Sequence, residues 1–120
     1  MAKIFVFGSN LAGIHGAGSA VTARRDWGAA WGVGVGLSGS SYAIPTKGTK
    51  LEVLPLPVIQ GYVNSFLEFA CAHPELEFYV TKIGCGLAGY KNEDIAPMFK
   101  NAPANCELHP EWITFNERVI

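Results

Sequence analysis

Lys47 and Cys85 are the two side chains of this 120-residue chain best placed, by their neighbours, for nucleophilic chemistry. Lys47 ends the run Ser41-Tyr42-Ala43-Ile44-Pro45-Thr46, and from Trp27 to Thr46 there is not one charged residue. A lysine aimed into such an uncharged site has a lowered pKa and becomes a nucleophile or a phosphate partner. The plain alternative is a solvated turn lysine beside Lys50. Cys85 lies between Gly84 and Gly86. Near a helix start its thiol would be acidified, but without a His or Asp neighbour it fits better as a small residue packed under a ligand. His15 could serve as a base or a phosphate contact, or simply be a surface loop histidine. Asn10 could hold a ribose hydroxyl or a carbonyl, or bond its own turn.

These residues sit in two glycine-centred stretches, and the glycines carry the stronger signal. The first is Gly8-Ser9-Asn10 continuing to Gly13-Ile14-His15-Gly16-Ala17-Gly18, and the second is Ile83-Gly84-Cys85-Gly86-Leu87-Ala88-Gly89-Tyr90. Glycine admits φ > 0 and lets a ligand approach main-chain N–H groups. Where such a loop leaves a buried strand and enters a helix, those amides and the helix dipole form an anion site. One GxG stretch is weak and also permits mere tight packing. Two in one small domain point to a clamp for a diphosphate. Tyr90 and Phe115 could stack a base or cover a ribose, or be aromatic core edges.

The elements that must position these loops follow from the periodicity. Residues 3–7 are a continuous apolar run, as expected of a strand buried on both faces. A helix is expected from Ser19 to Trp27, stopped by Gly28. The 32–36 stretch reads as a flexible connection, and 41–45 as a strand. Val58 to Ala72 reads as the clearest helix, with Val58, Ile59, Tyr62, Val63, Phe66, Leu67 and Ala70 at i, i+3, i+4 spacing and His73-Pro74 ending it. Residues 77–83 read as a strand, a helix capped by Asp94 runs to about Lys100, and Trp112–Phe115 reads as a last short strand. Strands alternating with helices predict an α/β fold: a three-layer α/β/α sandwich around a mixed, mostly parallel sheet. Ligands in such folds sit at the carboxyl ends of the strands, where both glycine loops and Lys47 would meet.

Bulk composition narrows the classes. Hydrophobic residues make up 49% and charged residues 16%, which excludes a disordered tail. A single domain spanning 1–120 is expected. The formal net charge of -1 argues against a non-specific nucleic-acid or membrane surface. Arg24-Arg25 reads as a solvated helix face. Three cysteines without a CxxC pair imply reduced thiols and a cytoplasmic setting, with Cys71 in the core and Cys106 in a loop. The opening residues are too short an apolar run for a signal peptide. Neither a metal nor a cofactor is expected, since the carboxylates are not clustered.

The three motifs together resemble macro domains, three-layer α/β domains that bind ADP-ribose and in some cases hydrolyse its derivatives. Gly16 to Gly28 is similar to their glycine-rich first loop and following helix. Asn10 matches the asparagine they use near the distal ribose. Ile83 to Gly89 is similar to their phosphate-embracing second loop. Its wording is nearest to the terminal ADP-ribose glycohydrolase branch, whose loop reads Ile-Gly-Cys-Gly-Leu-Asp, and Tyr42–Lys47 resembles the strand there that ends in a catalytic lysine. Over nearly its full length the chain looks like a small macro-like family of bacteria and their phages. Two departures accompany the resemblance. Ala88 stands where that branch has its aspartate, and the sequence opens on the strand carrying Asn10, without the segment in which many macro domains keep an adenine-binding aspartate.

The resemblance therefore implies a site for ADP-ribose, or for a related nucleotide such as a cyclic ADP-ribose signal. Its implied contacts are Gly8, Ser9, Asn10, His15, Gly16, Ala17, Gly18, Ile83, Gly84, Cys85, Gly86, Leu87, Ala88, Gly89, Tyr90 and Phe115. Binding is the expected function, with a small molecule or an ADP-ribosylated macromolecule as partner. The alternatives are an ADP-ribosyl hydrolase using Lys47, a phage protein that sequesters a defence signal, and an interaction domain with a face at Trp31.

Overall fold

In the computed structural model, which describes residues 2–118, the central strand is the first one in sequence. Strand β1 (Ala2–Asn10) pairs in parallel with β3 (Ser41–Lys47) on one side and with β4 (Leu76–Val80) on the other. Two short edge strands complete the sheet: β2 (Gly36–Ser38), antiparallel to β3, and β5 (Cys106–Glu107), parallel to β4. The order is β2-β3-β1-β4-β5, so four of the five strands run in parallel.

Alternation along β1 sorts its side chains onto the two faces of the sheet. Phe5 and Phe7 pack with Ala20 and Ala23 of helix α1 (Ser19–Asp26), with Ala43, and with Trp27, whose ring stacks on Phe5 at 5.3 Å. Ile4 and Val6 face the larger core under helix α2 (Leu56–Ala72), where Ile59, Val63, Phe66 and Ala70 are fully buried. Two further elements close that side. They are the turn of helix α3 (Asn92–Ile95), which runs into a 3₁₀ turn at Ala96–Phe99, and helix α4 (Pro110–Arg118). Both faces are thus covered by helices, the expected α/β sandwich. Among the described residues no helix is long and apolar enough to cross a membrane.

Several expectations are corrected. Residues 112–115 lie in α4 and form no strand. Trp112 is fully buried against Phe99, and its indole N–H donates to Asn92 Oδ1 at 3.0 Å. Those contacts outweigh the β-propensity of Trp-Ile-Thr-Phe. The Glu111 N–H donates to His109 Nδ1, giving the helix a side-chain cap that the sequence reading did not credit. Asp94 does not open a helix; from its third position it accepts the Lys91 N–H at 2.9 Å. Strand β4 stops at Val80, and Thr81 to Ile83 already belong to the loop. Cys71 is exposed, and Cys106 is half-buried in β5, where burial pushes its thiol up to about 12.

The 32–36 stretch is a tiled backing for the first glycine loop, not a free connection. A Cβ on Gly34 would lie 2.1 Å from the Asn10 carbonyl oxygen, and one on Gly13 would lie 2.3 Å from the Gly32 carbonyl carbon. The Gly32 N–H donates to Gly13 O at 2.9 Å, and the Ser9 hydroxyl donates to Gly34 O. Backbone packed on backbone leaves no room for any side chain. Gly34→Ala should therefore cost about 2 kcal/mol or more of unfolding free energy. Gly61, mid-helix in α2 with nothing within 4 Å of its missing Cβ, supplies the contrast. Gly61→Ala should gain about 0.5–1 kcal/mol. Urea unfolding of the two variants checks both signs.

Candidate functional site

Strands β1, β3 and β4 end side by side, and their exits open into a cleft of about 650 Å³. Gly8, Ser9 and Asn10 enter it from β1, Thr46 and Lys47 from β3, and Thr81 to Ala88 from the loop after β4. Gly16 to Ala20, the entry to α1, supply the remaining wall. The sequence thus places three strand exits correctly, and the topology joins them because β1 is central.

The two glycine loops meet across this cleft. A Cβ on Gly18 would touch Leu87 Cδ1 at 3.4 Å, and one on Gly8 would touch Gly84 N at 3.4 Å. Gly18 takes φ 62, ψ -147 and begins α1 without a side-chain cap; the first turn holds no acidic residue. The positive end of the helix is therefore uncompensated by protein groups. Among the described residues the N–H groups of Gly16, Ala17, Gly18, Gly86, Leu87 and Ala88 have no acceptor. All six residues line the cleft. Free amides clustered around a concave site are what a phosphate or carboxylate ligand requires.

Among the described residues the cleft's charged side chains are Lys47 and Lys82, and no carboxylate lines it. The Lys47 ammonium has no hydrogen-bond or ion-pair partner among the described residues. Lys82, by contrast, lies 2.6 Å from Glu111 Oε2 on α4. Hydrogen bonds from Lys82 and then from the Asn92 amide hold the Glu111 carboxyl below the usual carboxylate range. Lys82 was not among the expected contacts, although its place just before the second loop was visible in sequence. Thr46 and Ile14, which lie in stretches the sequence brings to this edge, also line the cleft, as do Thr81, Ser19 and Leu51.

Other expected residues fall outside it. His15 is buried behind the first loop, its Nε2 against Ala30 O at 2.9 Å and its ring edge-on to Phe7 and Trp31. It is not a surface histidine. Tyr90 packs on the core and donates its hydroxyl to Leu54 O at 2.7 Å, fixing the end of the second loop. Gly89 provides the positive-φ turn before it. Phe115 lines a separate shallow depression with Asn92, Pro110, Glu111 and Thr114.

Two of the residues within the cleft have structural employment. Asn10 closes its own loop, with Nδ2 donating to Ile14 O at 2.8 Å and Oδ1 accepting the Ile14 N–H at 3.0 Å. The Cys85 thiol is pushed up, mainly by burial, which removes the acidified nucleophile that its glycine neighbours invited. Trp31 is 54% exposed and carries Arg24 over its ring at 4.8 Å.

No protein-family model matches the chain, and comparisons with curated proteins and with solved structures return no significant match.

The Lys82–Glu111 pair generates a prediction. With side chains 30% and 55% exposed, it contributes little to stability. It does hold one of the cleft's two cations against a counter-charge. Glu111→Gln should strengthen binding of inorganic pyrophosphate by about three- to tenfold at low salt, because it frees the Lys82 ammonium from its counter-charge. Calorimetric titration checks this. The gain should vanish when Lys82→Ala is combined with it.

Proposed function

We propose that the protein binds ADP-ribose or a closely related nucleotide diphosphate, gripping the diphosphate with the main-chain amides of its two glycine loops. The observation that carries this reading is the set of six amides without an acceptor, in a cleft with two lysines and, among the described residues, no carboxylate. Such a set favours an anion whose charge is spread over several oxygens. The uncapped start of α1 adds its dipole at the same place. The resemblance of the three motifs to macro domains supplies the ligand class, whether met as a free molecule or as an ADP-ribosyl group on a macromolecule.

Binding is preferred to hydrolysis on chemical grounds. Glycosidic hydrolysis needs a group to protonate the leaving oxygen or to activate water. Ala88 offers neither, and the nearest acid paired to a cleft residue, Glu111, is occupied by Lys82 and Asn92. A second reading, hydrolysis through Lys47, draws on one fact: this lysine lines the cleft with its ammonium uncommitted. An amine held about 3–3.5 Å from the anomeric carbon would be in position to attack it.

Gly86 provides the test. A Cβ there meets nothing within 4 Å, and its φ is not in the left-handed region, so the fold tolerates a side chain. Gly86→Val should weaken ADP-ribose binding about a hundredfold or more while shifting unfolding free energy by less than about 1 kcal/mol. Unchanged affinity would overturn the assignment of the second loop to phosphate. Lys47→Ala should weaken binding only about three- to tenfold. Chromatography of the same mixtures separates the readings: intact ligand supports binding, and wild-type turnover abolished by Lys47→Ala supports hydrolysis.

A further inference from the structure

We infer that this cleft reads the diphosphate of its ligand and not the edge of the base, so that nucleoside diphosphate sugars with different bases bind almost equally. The inference rests on the binding reading above and deepens it. Telling one base from another takes a fixed donor and a fixed acceptor side by side, as an amide or a carboxylate provides. Among the described residues Asn10 is the one amide side chain lining the cleft, and both its ends are bonded to Ile14. No carboxylate of the described residues lines the cleft.

The hydroxyls do not replace that pair. Ser9 and Thr46 are buried, Ser9 donating to Gly34 O and Thr46 to Ser9 O at 3.4 Å. Thr81 donates to Val6 O at 2.7 Å. Ser19 stands beside Gly18 at the start of α1, in the anion site itself, and a rotating hydroxyl accepts from or donates to any base edge. What the cleft offers beyond its amides and cations is apolar. Ile14, Leu51 and Leu87 line it while remaining 40%, 46% and 66% exposed.

Leu51 is held in place at some cost. It is the one described non-glycine residue at positive φ, 62°, inside a turn closed by Gly48 N–H to Glu52 O at 2.8 Å. A leucine is kept in that conformation only where its surroundings over-determine it, and here it presents an apolar side chain at a cleft wall. Contact with the face of a flat ring is nearly the same for every base.

The test is titration of the intact protein with ADP-ribose and its counterparts carrying hypoxanthine, guanine and uracil, with adenosine as the phosphate-free control. Affinities for the four diphosphate sugars should agree within about threefold. A single bidentate base contact would spread them about tenfold or more. Adenosine should bind at least about a hundredfold more weakly. Leu51→Asp should lower all four affinities by a similar factor.

A preference of tenfold or more for adenine would overturn the inference while leaving the diphosphate reading intact. So would a Leu51→Asp effect confined to one base. If none of the four sugars binds, the diphosphate reading itself fails, and the inference falls with it.

Discussion

The site depends on main chain touching main chain. Loop residues 10–16 keep their course because Gly13 and Gly32, and Asn10 and Gly34, approach closer than any Cβ would allow. The missing side chains of Gly13 and Gly34 thus fix where Gly16 to Gly18 emerge, and hence where α1 starts. A helix start is useful to an anion only if it is rigidly placed and left uncapped. Here the backing layer supplies the first condition, and the absence of a side-chain cap at Gly18 supplies the second. The uncharged character of residues 41–46 follows from their burial in β3.

Electrostatics then divides the labour between the two lysines. Lys47 reaches the cleft at the end of β3, held by parallel pairing opposite Asn10, and its side-chain nitrogen has no partner among the described residues. Lys82 arrives with a counter-ion, because α4 brings Glu111 alongside and Asn92 steadies that carboxylate. Asn92 is itself tied to the buried indole of Trp112. The packing of α4 on the core thereby sets how much positive charge the second loop can offer a ligand. A cleft with this balance suits an anion, and among the described residues neither a carboxylate nor an imidazole lines its walls.

Much of this was legible in the residue pattern. The apolar run of β1 announced a strand buried on both faces, and glycines at strand exits announced the cleft edge. The α2 stripe needed only the 3.6-residue period. What stayed hidden depended on contacts distant in sequence. Trp112 to Phe115 carries strand-like residues, and only the burial of Trp112 against Phe99 favours a helix. His15 looked like a loop histidine because nothing local reveals that Phe7 and Trp31 enclose it. Asn10 offered two readings, and the answer lay four residues on, at Ile14. Lys82 escaped notice since its partner, Glu111, is 29 residues away. The edge strands β2 and β5 are too short to leave a periodic signal.

The central claim is that main-chain amides of the two loops hold the ligand's phosphates, and amide-resolved NMR tests it most directly. Titration of the ¹⁵N-labelled protein with ADP-ribose should shift the amide signals of Gly16 to Ala20 and of Gly84 to Ala88 first and furthest. Inorganic pyrophosphate should move the same signals in the same directions. Shifts centred instead on Asn92, Thr114 and Phe115 around α4, or none in either glycine loop at saturating ligand, would contradict the account.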